Sequence, residues 1–213
     1  MKQTLLLLVS VFASLSADAG IVEKPAVYEP GGVKLEGFHA HDEAIEGKRP
    51  GILIIHQWTG LTDYEKMRAR TLAELGYNVF AADVYGTGYC FGVAGVLELA
   101  RSGTPIAGVV SFHGGLAPAQ GMEAKPGGVT AKVLVLHGAM DASVPPAEVE
   151  VFGKEMAAAG ADWRLVMYGG AVHAFTQKMA WDDISKGAAY DAIACERLWR
   201  DMRDFFAEIF GEP

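Results

Sequence analysis

Gly88-Tyr89-Cys90-Phe91-Gly92 follows the run Asn78-Val79-Phe80-Ala81-Ala82-Asp83-Val84-Tyr85 and leads into Gly92-Val93-Ala94-Gly95-Val96-Leu97-Glu98-Leu99-Ala100-Arg101. The first run reads as a strand and the last as a helix. A strand, then Gly-x-nucleophile-x-Gly, then a helix is the signature of a sharp elbow with the nucleophile at its apex. Neighbours two positions away on so tight a turn must lack side chains, and glycine also accepts unusual backbone angles. The turn exposes the Cys90 sulfur and leaves the next backbone N–H free to stabilise an oxyanion. Taken alone, the pentapeptide also suits an inert Cys packed as a small hydrophobe in a Gly-rich loop. The rest of the chain has to decide.

The chain has 213 residues, 51% hydrophobic and 21% charged. That suits one domain with a full core. A net charge of -8 argues against nucleic acid as a partner. Two cysteines, Cys90 and Cys195, are too few for a disulfide framework. The N-terminus reads as a secretory signal peptide over residues 1–19: Lys2, an apolar run from Leu5 to Leu15, then the small-x-small site Ala17-Asp18-Ala19. The apolar run is shorter than the ~20 residues of a membrane span. The expectation is an exported chain, periplasmic or secreted, starting near Gly20 and forming a single domain over residues 20–213. In an oxidising compartment a Cys90–Cys195 bond would block the nucleophile. The placement of Cys195 in a C-terminal helix argues against that pairing.

Outward from the elbow, strand and helix signals alternate. Ala26-Val27-Tyr28 and Val33 to Phe38 flank the turn Glu29-Pro30-Gly31-Gly32 and predict an antiparallel edge hairpin. Gly51-Ile52-Leu53-Ile54-Ile55-His56 is a continuous apolar run, as in a parallel strand buried on both faces. Asp63 to Gly76 predicts an amphipathic helix with Met67, Leu72 and Leu75 inward. Strands follow at Ile106–Phe112, Lys132–Gly138 and Trp163–Tyr168, with helices at Pro146–Ala159 and over residues 190–210. In the last helix Leu198, Met202, Phe205, Phe206 and Ile209 form the buried stripe. Such alternation means an α/β domain with a mostly parallel sheet flanked by helices.

Active sites of open α/β sheets form at the C-terminal ends of strands. The polar residues there are His56, Gln57 and Trp58, then Cys90, His113, His137 with Asp141, and His173. Nucleophile, acid and base in that chain order select Cys90, Asp141 and His173. Asp141 lies in a short turn after a strand, where a carboxylate can fix an imidazole's tautomer. The alternative reading is a turn or helix-capping Asp before Pro145-Pro146. His173 lies in the Gly-containing loop Tyr168 to Phe175, where it could instead bond only to backbone. His56, His113 and His137 read as structural, and no ligand cluster for a metal is found. The backbone N–H groups of Trp58 and Phe91 are the expected oxyanion donors.

Five motifs now stand in order: Ile54-Ile55-His56-Gln57-Trp58-Thr59-Gly60-Leu61-Thr62-Asp63-Tyr64, Ala81-Ala82-Asp83-Val84-Tyr85-Gly86, the Cys90 elbow, His137-Gly138-x-x-Asp141, and Val172-His173-Ala174-Phe175. Together they resemble the dienelactone hydrolase family over nearly all of the chain after the leader. The resemblance implies an α/β-hydrolase fold, hydrolysis of small esters or lactones with no metal or organic cofactor, and a Cys90-Asp141-His173 triad. The chain departs from the family at three places. Gln57 stands where members often carry a Glu that helps activate the thiol. Gln177 stands where the dienelactone enzymes themselves place a carboxylate-gripping arginine. Both glutamines are possible contacts to thiol or substrate.

The third departure is a shortened chain. The family places a loop, a helix and a further strand between the run ending at Tyr85 and the elbow, whereas here Tyr85-Gly86-Thr87 meets Gly88 directly. Successive parallel strands need a crossover of a dozen or more residues. Either the run from Asn78 delivers Cys90 itself, or a crossover unit is absent and the site lacks a wall. The leading expectation is a hydrolase acting through an acyl-thioester. The alternative is a catalytically impaired or silent relative that binds a ligand or partner. A thiol redox role has no Cys-x-x-Cys to support it.

Overall fold

The computed structural model describes residues 20–29, 32, 34–57, 59–83, 95–178, 180 and 183–211. Its elements run β1 (Ile21–Tyr28), β2 (Leu35–Asp42), β3 (Gly51–Ile55), α1 (Asp63–Glu74), β4 (Asn78–Ala82), α2 (Gly95–Arg101), β5 (Gly108–Phe112), β6 (Lys132–Gly138), α3 (Pro146–Ala158), β7 (Trp163–Tyr168) and α4 (Ala192–Phe210). A short 3₁₀ turn, Ile184–Lys186, precedes α4. Among the described residues no helix is long and apolar enough to cross a membrane. The proposed leader lies outside the described residues.

Every expected element forms. The edge hairpin is longer than its alternation suggested, because Ile21 to Pro25 continue the pairing down to Asp42. Pro25 is tolerated there because β1 is an edge strand. Helix α1 starts at a capping box in which the Thr62 hydroxyl accepts from the Tyr64 N–H and Glu65 reaches back to the Thr62 N–H. This turns Glu65 inward, and the buried stripe becomes Glu65, Ala69, Leu72 and Ala73. Met67, expected inside, is exposed instead. In α4 the expected stripe holds: Leu198, Met202 and Phe205 are buried, with Phe206 and Ile209 packed beside them.

The strands form two separate sheets, β1-β2-β4-β3 and β5-β6-β7. Pairing is parallel for β3 with β4 and for β6 with both its neighbours, and antiparallel for β1 with β2 and β2 with β4. Among the described residues no strand joins β3 to β5. β4 sits between β2 and β3. Residues 84–94, with the elbow itself, lie outside the described residues.

Two apolar layers cover the sheets, and the first of them joins the two halves. On one face α1 and α4 pack over both half-sheets, joining Phe38, Ala40, Val79 and Ala81 to Leu134, Leu136 and Phe175. On the other, α2 and α3 cover Val109, Val133 and Val135 through Leu97, Phe152 and Met156. Each buried Val, Leu, Phe or Met among them contributes about 1.5–3 kcal/mol relative to exposure. Strand β6, paired on both sides and covered on both faces, presents its C-terminal end as a rigid platform.

Candidate active site

The platform ends at Gly138, and the chain turns at once. The Ala139 N–H donates to the Tyr168 carbonyl and the Met140 N–H to the Ala171 carbonyl, so the turn is fastened to the chain leaving β7. That aims the Asp141 side chain back over the sheet, where it is wholly buried. Its Oδ1 accepts the Ser143 N–H at 2.8 Å and its Oδ2 lies 2.8 Å from His173 Nδ1. Both oxygens are therefore engaged. Burial pushes the Asp141 carboxyl up, but the hydrogen bond and charge of His173, with the Ser143 N–H, outweigh it and hold it below the usual carboxylate range. Asp141 thus places Oδ2 where it can fix the His173 tautomer, while Oδ1 holds the turn.

Close approach at Gly138 makes this possible. A Cβ there would lie 2.7 Å from the Ala171 carbonyl oxygen and 2.8 Å from that of Val172. Both are backbone atoms and cannot swing aside. Gly138→Ala is expected to lower stability by about 1–3 kcal/mol through this overpacking, read as a lower urea midpoint. An unchanged midpoint would show that the turn yields.

His173 is fixed from both sides. Its N–H donates to the Gly187 carbonyl at 3.2 Å, and its carbonyl accepts from Ala189 at 3.1 Å. The next residue, Ala174, has φ of 56°, and His113 has φ of 41°. Both are left-handed conformations that cost energy for residues with a Cβ, and such strain clusters at functional sites. The His173 side chain keeps 29% exposure while its carboxylate partner has none. One ring edge is thus held and the rest remains accessible, the arrangement a general base requires.

His113 packs against this pair. Its ring stands edge-to-face to His173 with centroids 5.2 Å apart, and its Nε2 meets the Thr176 hydroxyl at 3.0 Å. Burial, reinforced by the His173 charge, lowers its pKa to about 3. The unfolded chain, with His near 6.5, therefore takes up the proton first. Stability is lost as pH falls from about 6.5 toward 3, by up to about 1.4 kcal/mol per unit from this group. His137 is lowered by burial too and acts in the same direction. His113→Gln should flatten the fall in urea midpoint between about pH 6 and 4.5, above the range where Asp141 titrates; an unaltered slope would exclude His113 as its source.

The remaining expected residues meet the structure unevenly. Gln57 and Gln177 hydrogen-bond to one another, Gln177 donating through Nε2 to Gln57 Oε1. His56 is buried with Nδ1 2.6 Å from the Gln57 carbonyl and Nε2 3.5 Å from Asp83, in keeping with a structural role. Cys90, Trp58 and Phe91 lie outside the described residues. Cys195 is buried in α4, its sulfur 3.8 Å from an Arg68 nitrogen. The sequence reading did not assign Tyr64 or Thr176 to the site, yet the Tyr64 hydroxyl donates to Thr176 Oγ1 at 3.0 Å and completes a chain to His113. The two are 112 positions apart, and no spacing signal links them.

The profile of the Dienelactone hydrolase family matches residues 35–87 and 86–210, in two pieces that meet between the β4 run and the elbow. A dienelactone hydrolase-like promiscuous phosphotriesterase, P91, from metagenomic libraries is 31% identical, with a TM-score of 0.82 over 90% of this chain and 100% of its own. The structure called m3DLH is 28% identical, with a TM-score of 0.81 over 90% of this chain and 99% of its own. A Caenorhabditis elegans protein, K02A2.1, itself uncharacterised, is 33% identical over 125 residues, 58% of this chain and 78% of that protein.

Proposed function

Because this chain belongs to the dienelactone hydrolase family of α/β-hydrolases, we propose that it hydrolyses small carboxylic esters or lactones through Cys90, His173 and Asp141. The observation that carries the reading is the 2.8 Å bond between buried Asp141 and half-exposed His173 at the C-terminal ends of the strands. The third member is taken from the Gly88-x-Cys90-x-Gly92 motif.

In this reading His173 takes the Cys90 proton, and the thiolate attacks the ester carbonyl. The tetrahedral oxyanion is held by the N–H groups of Trp58 and Phe91. It collapses, the alcohol leaves with the proton from His173, and an acyl-thioester remains on Cys90. Water then attacks the thioester, giving its proton to His173. The acid departs and the proton returns to sulfur. Asp141 accepts the Nδ1–H throughout and stabilises the imidazolium. With Gln57 in place of a carboxylate, thiol activation rests on His173 alone. Gln57 and Gln177, bonded to each other, offer amide groups to a neutral substrate, which favours simple esters over dienelactone.

The test is a rapid-quench experiment with an aryl acetate. The expected results are a burst of about one phenol per chain and a mass increase of one acetyl group on the peptide containing Cys90. An aryl phosphotriester belongs in the same panel, given the activity named for P91. Turnover without any acyl adduct at Cys90 rules the mechanism out. Export is proposed on the N-terminal sequence alone, and N-terminal sequencing of the mature chain should read from near Gly20.

The split sheet favours one second reading, a relative with little activity that binds a partner. It predicts slow alkylation of Cys90, so rapid labelling by iodoacetamide near neutral pH counts against it.

A further inference from the structure

An open concavity of about 490 Å³ is lined by His39, His41, Gly47, Lys48, Arg49 and Asn78. Side chains alternate along a strand. In β2, Phe38 and Ala40 enter the core beside α1, so His39 and His41 stand on the opposite face of the sheet. Their rings stack with centroids 4.9 Å apart and planes 27° from parallel. Asn78 opens β4, pairs with Gly51 at the start of β3 and accepts from or donates to His39 Nε2 at 2.5 Å. Gln57 lies beyond the other end of β3, so the concavity is at the end of this sheet away from the candidate active site. We propose that it binds a phosphate group carrying two negative charges, gripped by Arg49 and Lys48 together with the paired imidazoles.

The charges gathered here favour an anion. Lys24 stands opposite His39 in the β1–β2 ladder. Neither Lys24 nor Lys48 has a carboxylate partner among the described residues, whereas Arg70, Lys132 and Arg164 each have one. The Arg49 guanidinium is bonded to the Asp42 and Ile45 carbonyls and to no carboxylate. In a chain of net charge -8, three such cations on one face reverse the local sign, and a reversed patch concentrates anions. The convergence of more than one cation suits a doubly charged oxyanion better than a carboxylate.

The geometry agrees. A guanidinium carries five N–H donors, and the two carbonyl bonds hold it in place while leaving others for a ligand. His41 Nδ1 is buried without a hydrogen-bond partner. Burial, with His39, Arg49 and Lys24 nearby, holds the His41 ring below the usual histidine range, and Glu43 opposes them. An anion seated beside it removes that repulsion. A metal shared by the two rings fits poorly. Its bonds must lie in both ring planes, and planes so nearly parallel do not meet beside the rings.

The test follows the ring resonances of His39 and His41 by NMR in the full chain, at constant ionic strength and pH 7. Inorganic phosphate should shift both saturably. It should also raise the His41 titration midpoint, because an anion favours the imidazolium over the neutral ring. Lys48→Gln breaks no bond among the described residues. It should weaken phosphate binding about tenfold, the loss of one charge-assisted contact, and leave ester turnover unchanged. Arg49→Gln should weaken it at least as much, but it also frees two carbonyls, so Lys48→Gln decides. Co-sedimentation with phosphatidylcholine vesicles containing phosphatidic acid forms the second arm. Saturable shifts with inorganic phosphate support a soluble ligand, and capture by the acidic vesicles alone supports a lipid phosphate. Three outcomes overturn the proposal: no response to either probe; equal shifts from acetate at the same ionic strength, which makes the patch a general counter-ion surface; and undiminished binding in Lys48→Gln.

Discussion

Cys90→Ala should lower kcat/KM for an aryl ester by roughly 10⁴- to 10⁶-fold, leaving only what oxyanion donors and binding supply. The effect is large because no other group replaces the sulfur as the atom that bonds to the acyl carbon. Asp141→Asn is the informative companion. An amide at that position can no longer fix the Nδ1–H tautomer of His173, and a comparable change in a serine triad costs about 10⁴-fold in kcat. Because Asp141 also accepts the Ser143 N–H, the variant needs a urea midpoint measured alongside. A fall in kcat with the midpoint kept places the loss in chemistry. Cys90→Ala with near-normal turnover would refute the triad, since the Asp141–His173 pair would then serve another nucleophile.

The second large effect is on stability. Arg101 ends α2 with a fully buried side chain, and its guanidinium is bonded to Glu98 at 2.9 Å, to Glu155 at 2.8 Å and to the Leu116 carbonyl at 2.6 Å. The two carboxylates also accept the Ala119 and Ala124 N–H groups, so the cluster ties α2 and α3 to the loop after β5. Arg101→Met removes the one cation and leaves two near-buried acids facing each other. Breaking a buried pair from one side typically costs about 3–5 kcal/mol, and that loss is expected in the urea midpoint. The triple variant Arg101→Met with Glu98→Gln and Glu155→Gln should recover part of it, because amides still accept the loop N–H groups without charge. Equal losses in the single and triple variants would mean that geometry, not charge, dominates.

The order of elements was legible because each carries a local signal. Apolar runs such as Ile52–Ile55 and Val133–Leu136, Thr62 with Glu65 before α1, and Pro146 opening α3 are all written within a few residues. The Asp141–His173 pairing was legible for a different reason: chain order and strand-end position restrict the partners. What local pattern could not carry was contact across the chain. Tyr64 meets Thr176, and Gln57 meets Gln177, only because α1 and the loop after β7 close over the same strand ends. Met67 was misplaced because the regular helical stripe runs through Glu65, Ala69, Leu72 and Ala73, which leaves Met67 off the buried face. The shortened junction before Gly88 was visible, but the separation of the described strands into two sheets was not.

With no strand ladder running from β3 to β5 among the described residues, much of the bond between the two halves is the side-chain layer to which α4 contributes Leu198, Met202 and Phe205. These residues follow every described strand, so during synthesis the early and late strands cannot be clamped together by this layer until α4 has emerged from the ribosome.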